Sequence, residues 1–435
     1  MVYMSRNYNN FKILFVYPNI QMRTTAPVGI GMISAILKEH GFQTDLFDVT
    51  RYEDVYTNPE EDYDSTHEKF IRMDIHKKFK KTKSDKATTD FAIPEDSHIQ
   101  RVKNFEVLPF DWGEKNVVLK KTNMFDDFRK KVESYGPSLI AISLMENTFD
   151  LGLRLLNNIQ SDIPIMAGGV FATYAPDIIL QQEKIKFVCR GEGEHPTLDL
   201  CIALADGLRT DNILNIWTKD KSGQIIKNPL RPAVNINELP WTDFELFEEE
   251  LLYTPMQGRV WKAIGFETQR GCPYTCTYCN SPSNNIIYSD ENAGRFHRKK
   301  TVDNLKNEME HIIKYYQPEL IYMVADTFLA MSPRELDEFS EFYQSYKIPF
   351  WMNTRAETIT EHSAKHLAKM NCLRFNIGIE HGNPKFRKEI LKRSVSNQKM
   401  VDAFHIAAKY ADEYTCVANN IIGLPTESPE LVFDT

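Results

Sequence analysis

Cysteine is scarce in this chain, seven in 435 residues, too few and too scattered to build a disulfide framework. Long apolar runs are missing too. No stretch approaches the roughly 20 residues that a bilayer-spanning helix needs, so no membrane span is expected. The polar N-terminus, Met1 to Asn10, leads straight into Lys12-Ile13-Leu14-Phe15-Val16-Tyr17 without a visible signal or transit segment, and a cytoplasmic location is the expectation. Basic residues are outnumbered, 52 Lys and Arg against 60 Asp and Glu, a formal charge of −8 that argues against a surface tracking nucleic-acid phosphates. The basic run from His76 to Lys86 lacks apolar periodicity and reads as a solvated loop. Internal repeats do not stand out.

What is present is a globular composition, 42% hydrophobic and 26% charged, at a length that suggests two or three domains. Residues 11–207 alternate short apolar runs with amphipathic stretches: strands at 12–17, 43–48, 138–144, 163–167 and 186–190, helices at 28–40, 123–135, 149–160, 175–183 and 194–206. That pattern predicts an α/β fold with a doubly wound parallel sheet. A polar insertion at 51–122 interrupts it, and a connector at 208–262 carries a hairpin around Ser222-Gly223 and a Pro-containing linker. From 263 to 435 strands at 263–268, 319–325, 348–354, 373–380 and 415–422 alternate with helices, which predicts a barrel or partial barrel of parallel strands. The sequence stops at Thr435 where a helix is due, so this barrel is expected to lack its last strand.

Three of the seven cysteines are grouped: Cys272, Cys276 and Cys279, in Arg270-Gly271-Cys272-Pro273-Tyr274-Thr275-Cys276-Thr277-Tyr278-Cys279-Asn280. Three thiolates within eight residues can close on one metal centre. Iron–sulfur clusters usually take four, which leaves an iron open for a non-protein ligand. The alternative is a structural zinc completed by His297 or a distant cysteine, but such sites supply paired ligands at both ends of the motif and no second pair is evident. The triplet follows the first strand of the second unit, where parallel barrels keep their catalytic loops. Cys189, Cys201, Cys372 and Cys416 lie in apolar segments and read as buried thiols.

On these residues the chain resembles the radical S-adenosylmethionine (SAM) superfamily, whose signature is Cys-x3-Cys-x2-Cys after the first strand of a partial (β/α)6 barrel, with an aromatic residue, here Tyr278, before the third cysteine. The resemblance implies a 4Fe-4S cluster on Cys272, Cys276 and Cys279 whose open iron is chelated by SAM, and reductive cleavage of SAM to a 5′-deoxyadenosyl radical. It also implies SAM contacts from Tyr278, from Asp326 ending the second strand, from Arg355 ending the third, from Glu380 ending the fourth, and from Ile422 and Gly423 after the fifth. Relatives often carry Asp-Asp-x-Phe at the second strand; Ala325 replaces the first Asp here.

The N-terminal unit resembles the Rossmann-like cobalamin-binding domain fused in front of many such barrels. Ligands of doubly wound sheets bind at the carboxyl ends of strands, where glycines admit close approach. The resemblance places cobalamin contacts at Pro27 and Gly29, Ser143 and Leu144, Gly168 and Gly169, and Gly191, Glu192 and Gly193. The Asp-x-His-x-x-Gly motif that gives cobalt an imidazole is absent; Asp74-Ile75-His76 and Asp96-Ser97-His98 imitate only its start.

The chain is thus similar to class B radical SAM methyltransferases, which implies methylation of an unactivated carbon of a small molecule or peptide, with electrons from a donor such as flavodoxin or ferredoxin. Cyclisation or rearrangement, an N-terminal domain that has lost cobalt, and a corrin- or nucleotide-binding sensor module are the alternatives.

Overall fold

The structure, a computed structural model, describes residues 8–19, 26–52 and 111–435. Nearly all of the polar insertion, including the run from His76 to Lys86 and both imitations of the cobalt motif, lies outside the described residues. The first unit runs β1 (Lys12–Tyr17), α1 (Val28–Glu39), β2 (Gln43–Asp48), α2 (Met124–Tyr135), β3 (Leu139–Ser143), α3 (Phe149–Asn157), β4 (Ile165–Gly168), α4 (Val170–Tyr174), α5 (Pro176–Leu180), β5 (Phe187–Cys189), α6 (Glu194–Ala205), β6 (Ile216–Lys219) and β7 (Ile225–Ile226). Its sheet has the order β2-β1-β3-β4-β5-β6-β7, the first five strands parallel and the last two antiparallel.

The apolar run of β1 is explained by burial on both faces. Leu14 and Val16 pack with Phe128 and Leu155 on one side, and Ile13 and Phe15 with Ile30 and Leu37 on the other. Period-two alternation thus feeds two cores, as a doubly wound sheet requires.

The second unit continues with β8 (Tyr253–Met256), β9 (Arg259–Glu267), β10 (Gln269–Arg270), α7 (Asn280–Asp290), β11 (Arg298–Lys299), α8 (Val302–Tyr316), β12 (Leu320–Val324), α9 (Pro333–Tyr343), β13 (Phe350–Arg355), α10 (Glu361–Lys369), β14 (Cys372–Glu380), α11 (Pro384–Glu389), α12 (Asn397–Ala408), β15 (Thr415–Asn420) and α13 (Pro429–Phe433). Five parallel strands, ordered β15-β14-β13-β12-β9, curl into a half-barrel, and β8 closes one edge antiparallel to β9.

Alternation separates the half-barrel's faces. Ile321, Met323, Phe350, Met352, Phe375 and Ile377 are fully buried in the core that packs the outer face against the helices. Tyr322, Trp351, Asn353, Arg374 and Asn376, in register across three strands, occupy the opposite, inner face. Helix starts are locally encoded: α9 has Ser332 as N-cap, a capping box with Glu335 and Pro333 in its first turn.

The stretch expected as a connector is divided between the sheets, since β6 and β7 extend the first and β8 joins the second. Helices α4, α7 and α11 were not anticipated; each has six residues or fewer, or follows the cysteine loop without apolar periodicity. Among the described residues no helix is long and apolar enough to cross a membrane.

Candidate metal and cofactor site

The cysteine loop leaves β10 and ends at α7, whose N-cap is Cys279. Cys272 and Cys276 are buried and Cys279 is half-buried. Burial is the largest influence on the thiols of Cys272 and Cys279 and pushes both up, so metal binding there must displace protons. Two side chains make hydrogen-bond contacts with the sulfurs, and the Arg355 guanidinium is the donor in one of them. Arg355 Nη1 lies 3.0 Å from Cys276 Sγ, and the Thr327 hydroxyl lies 3.5 Å from Cys272 Sγ. Arg355 also stacks on Tyr274 at 3.8 Å.

Among the described residues, one group of three metal-binding side chains has all its ligand atoms within 4.8 Å of each other, and it is Asp337, His362 and His366, not the triplet. A tetrahedral zinc with Zn–S bonds of about 2.3 Å would hold sulfurs about 3.8 Å apart. The triplet's three sulfurs are not all within 4.8 Å of one another, so at least one pair is wider than a single zinc would hold.

Three of the expected SAM contacts converge through two residues the sequence did not single out. Arg393, in the loop before α12, is buried and meets Glu380 at 3.2 Å, the Tyr278 hydroxyl at 3.2 Å and Glu357 at 3.5 Å. Glu357 in turn pairs with Arg355 at 2.5 Å. A chain of alternating charge thus runs from Glu380 through Arg393, Glu357 and Arg355 to Cys276. Burial raises the Glu380 carboxyl against the opposing pull of Arg393. Its backbone is left-handed, φ +67°, at a register shift between β14 and β15, a strained arrangement of the kind that collects at functional sites. Asp326 is exposed, and its charge bears on Cys272 and Cys279. Ile422 and Gly423 lie exposed beyond β15; the Ile421 N–H donates to the Glu380 carbonyl at 3.0 Å.

At the carboxyl ends of the first sheet's strands lies a cavity of about 410 Å³. Pro27, Gly29, Ser143, Gly168, Gly169, Gly191, Glu192 and Gly193 all line it. Leu144 does not. Its side chain continues the even-numbered face of Ile140 and Ile142 into the core and is 0% exposed, and its backbone lies against Gly169 at the cavity corner. Gly169 has φ +91°, and a Cβ there would come within 2.7 Å of the Leu144 carbonyl oxygen, so the corner can be turned only without a side chain. No histidine is among the lining residues. The recess is glycine-cornered and largely apolar, chemistry that fits a corrin set against the strand ends, and none of its described lining residues offers that ligand an imidazole.

The same cavity is lined by Glu267, Arg270, Asn284 and Phe296 from the second unit, and the two sites share a wall. Arg270, two residues before Cys272, reaches Glu192 at 2.6 Å, Glu194 at 2.7 Å and Glu267 at 3.0 Å. Arg298, opposite Arg270 in the β10–β11 ribbon, also pairs with Glu192. The Glu192 carboxylate is therefore committed to two arginines, and what it presents to the cavity is limited accordingly. Gly191 is likewise set against the second unit: a Cβ there would come within 2.7 Å of the Tyr288 hydroxyl on α7. Tyr174 on α4 crosses the same boundary, its hydroxyl 2.6 Å from the Asn280 carbonyl and 2.7 Å from Asn284 Oδ1.

Comparisons with known proteins agree with this division. Residues 266–435 match the model of the radical SAM superfamily, and residues 111–200 match that of the B12-binding domain. The chain is 24% identical over 244 residues to the anaerobic magnesium-protoporphyrin IX monomethyl ester cyclase of Rubrivivax gelatinosus, covering 54% of this chain and 42% of that protein. It is 20% identical over 433 residues to the cytidylyl-2-hydroxyethylphosphonate methyltransferase of Streptomyces wedmorensis, covering 89% of this chain and 68% of that one. The chain therefore spans less than half the length of the first of these relatives. In fold it is similar to the radical SAM methyltransferase TsrM of Kitasatospora setae, solved with cobalamin and a 4Fe-4S cluster, at a TM-score of 0.61 and 15% identity, over 98% of this chain and 69% of that one.

Proposed function

We propose, for a chain that joins a B12-binding domain to a radical SAM domain, that it methylates an unactivated carbon of its substrate. The cofactors of these domains are a 4Fe-4S cluster, SAM and cobalamin, and when bound they supply an electron, a radical source and a methyl carrier. Cys272, Cys276 and Cys279 hold the cluster. Arg355 and the Thr327 hydroxyl lie against two of these sulfurs and would offset the negative charge of a bound cluster. Tyr278, Glu380, Arg393 and Glu357 form a rigid charged wall that orients SAM beside the loop. Gly168, Gly169 and Gly193 let backbone approach the corrin.

The observation that carries this reading is the shared wall: Arg270 lines the cavity and lies two residues from Cys272. Radical and methyl carrier would meet at one mouth, and proximity is what such a two-centre reaction needs. Arg374, half-buried on the inner face, has no carboxylate partner among the described residues; burial alone lowers its pKa. A substrate bearing a phosphate, phosphonate or carboxylate would complete it, in keeping with the relative named for a phosphonate substrate. The similarity to a cyclase supports ring formation as a second reading.

Anaerobically reconstituted protein, reduced with dithionite in the presence of SAM, is expected to form 5′-deoxyadenosine, detected by mass spectrometry, and its Cys276→Ala variant none. No 5′-deoxyadenosine from cluster-replete protein would overturn the enzymatic reading. A methyl-deuterated SAM then separates the two reactions, since only methylation carries the label into product.

A further inference from the structure

Helices α9 and α10 pack on the outer side of the half-barrel, following β12 and β13. His362 and His366 are four residues apart on α10 and so share a face. Asp337 on α9 lies against both: its Oδ1 is 2.7 Å from His362 Nε2 and 3.0 Å from His366 Nε2. The two rings are 4.5 Å apart, and the three ligand atoms all lie within 4.8 Å of one another.

We propose that Asp337, His362 and His366 bind one divalent first-row transition ion, zinc being the best fit, with water completing its shell. Two imidazoles and a carboxylate suit a borderline ion and are a poor set for calcium or magnesium. In a tetrahedral shell with bonds of about 2.0–2.1 Å, ligand atoms stand about 3.4 Å apart. The three side chains reach that by opening slightly, and the exposure of His362 and Asp337 leaves room to do so.

The site has a structural consequence. His362 lines a cavity of about 460 Å³ together with Pro273 and Tyr274 of the cysteine loop, Ser332 before α9 and Glu357 before α10. An ion tying α9 to α10 braces the two loops that flank the cysteine loop. It is separate from the cluster ligands and does not depend on the methylation reading.

The test uses reconstituted holoprotein, stripped of loosely bound metal and then supplied with one equivalent of zinc. Zinc content and zinc-edge X-ray absorption are measured for the parent, His362→Ala and Asp337→Asn. The parent is expected to retain about one zinc with a nitrogen and oxygen shell, and to melt higher with zinc than without. Both variants are expected to lose the zinc and the thermal shift while keeping their iron. Zinc retention equal in parent and variants, or a shell containing sulfur, overturns the proposal, the latter by assigning the metal to the cysteines.

Discussion

Arg393 is the buried cation between two of the carboxylates near the cysteine loop. Its side chain is 1% exposed and faces two carboxylates, Glu380 and Glu357. Removing one member of a buried ion pair leaves an uncompensated charge, at a cost of about 3–5 kcal/mol. Arg393→Met is therefore expected to lower the urea midpoint markedly and to weaken SAM binding, with Arg393→Lys recovering part of the stability; an unchanged midpoint would show that the two carboxylates do not need this partner. The sequence marked Glu380, Arg355 and the cysteines because strand ends and a fixed spacing single them out. It could not mark Arg393, a basic residue in a loop like many others, whose partners come from the cysteine loop, the end of β14 and the turn after β13. The side chain of Leu144 turns into the core for a simpler reason. The alternation of Ile140 and Ile142 points it inward, whereas its expected cobalamin contact came from the resemblance to the cobalamin-binding domain.

At the scale of elements, the β10–β11 ribbon sets two arginines opposite each other, an arrangement that repels unless acids intervene. Glu192, Glu194 and Glu267 supply them, two from the first unit and one from β9. Burial alone would raise the Glu267 carboxyl, yet Arg270, with Lys300 and Arg298, brings it below its ordinary value. A carboxyl whose folded pKa is depressed stabilises the fold above its unfolded value, about 4.3, and that contribution is lost as pH falls through the lower folded value. The Glu267–Arg270 pair within the second unit is thus expected to stabilise that unit at neutral pH and to lose its contribution below about pH 4, whereas Arg270→Ala, which removes the partner of Glu192 and Glu194, is expected to loosen the docking of the two units already at pH 7. Hydrogen exchange over residues 190–194 and 268–272 reads this directly, and equal protection in parent and variant at pH 7 would contradict it. The strands were legible because their apolar runs are buried on one or both faces. The β8–β9 hairpin was not read, although Gln257-Gly258, with φ +51° and +74°, is a two-residue turn of the type that Gly-containing pairs favour.

At the scale of the molecule, the doubly wound sheet and the half-barrel meet so that the glycine-cornered cavity and the cysteine loop share Arg270. That meeting could not be read from spacing, because Gly191-Glu192 and Arg270-Gly271 are about 80 residues apart and each reads alone as a turn. The central claim is that one chain holds an iron–sulfur cluster and a corrin side by side in independent protein sites. Its most direct test is the iron and cobalt content of anaerobically reconstituted protein, compared with Cys276→Ala and Gly169→Ala. About four irons and one cobalt per parent chain are expected, with iron lost and cobalt kept in Cys276→Ala, and cobalt lost and iron kept in Gly169→Ala. A parent chain that retains no cobalt, or iron that survives Cys276→Ala, would contradict the account.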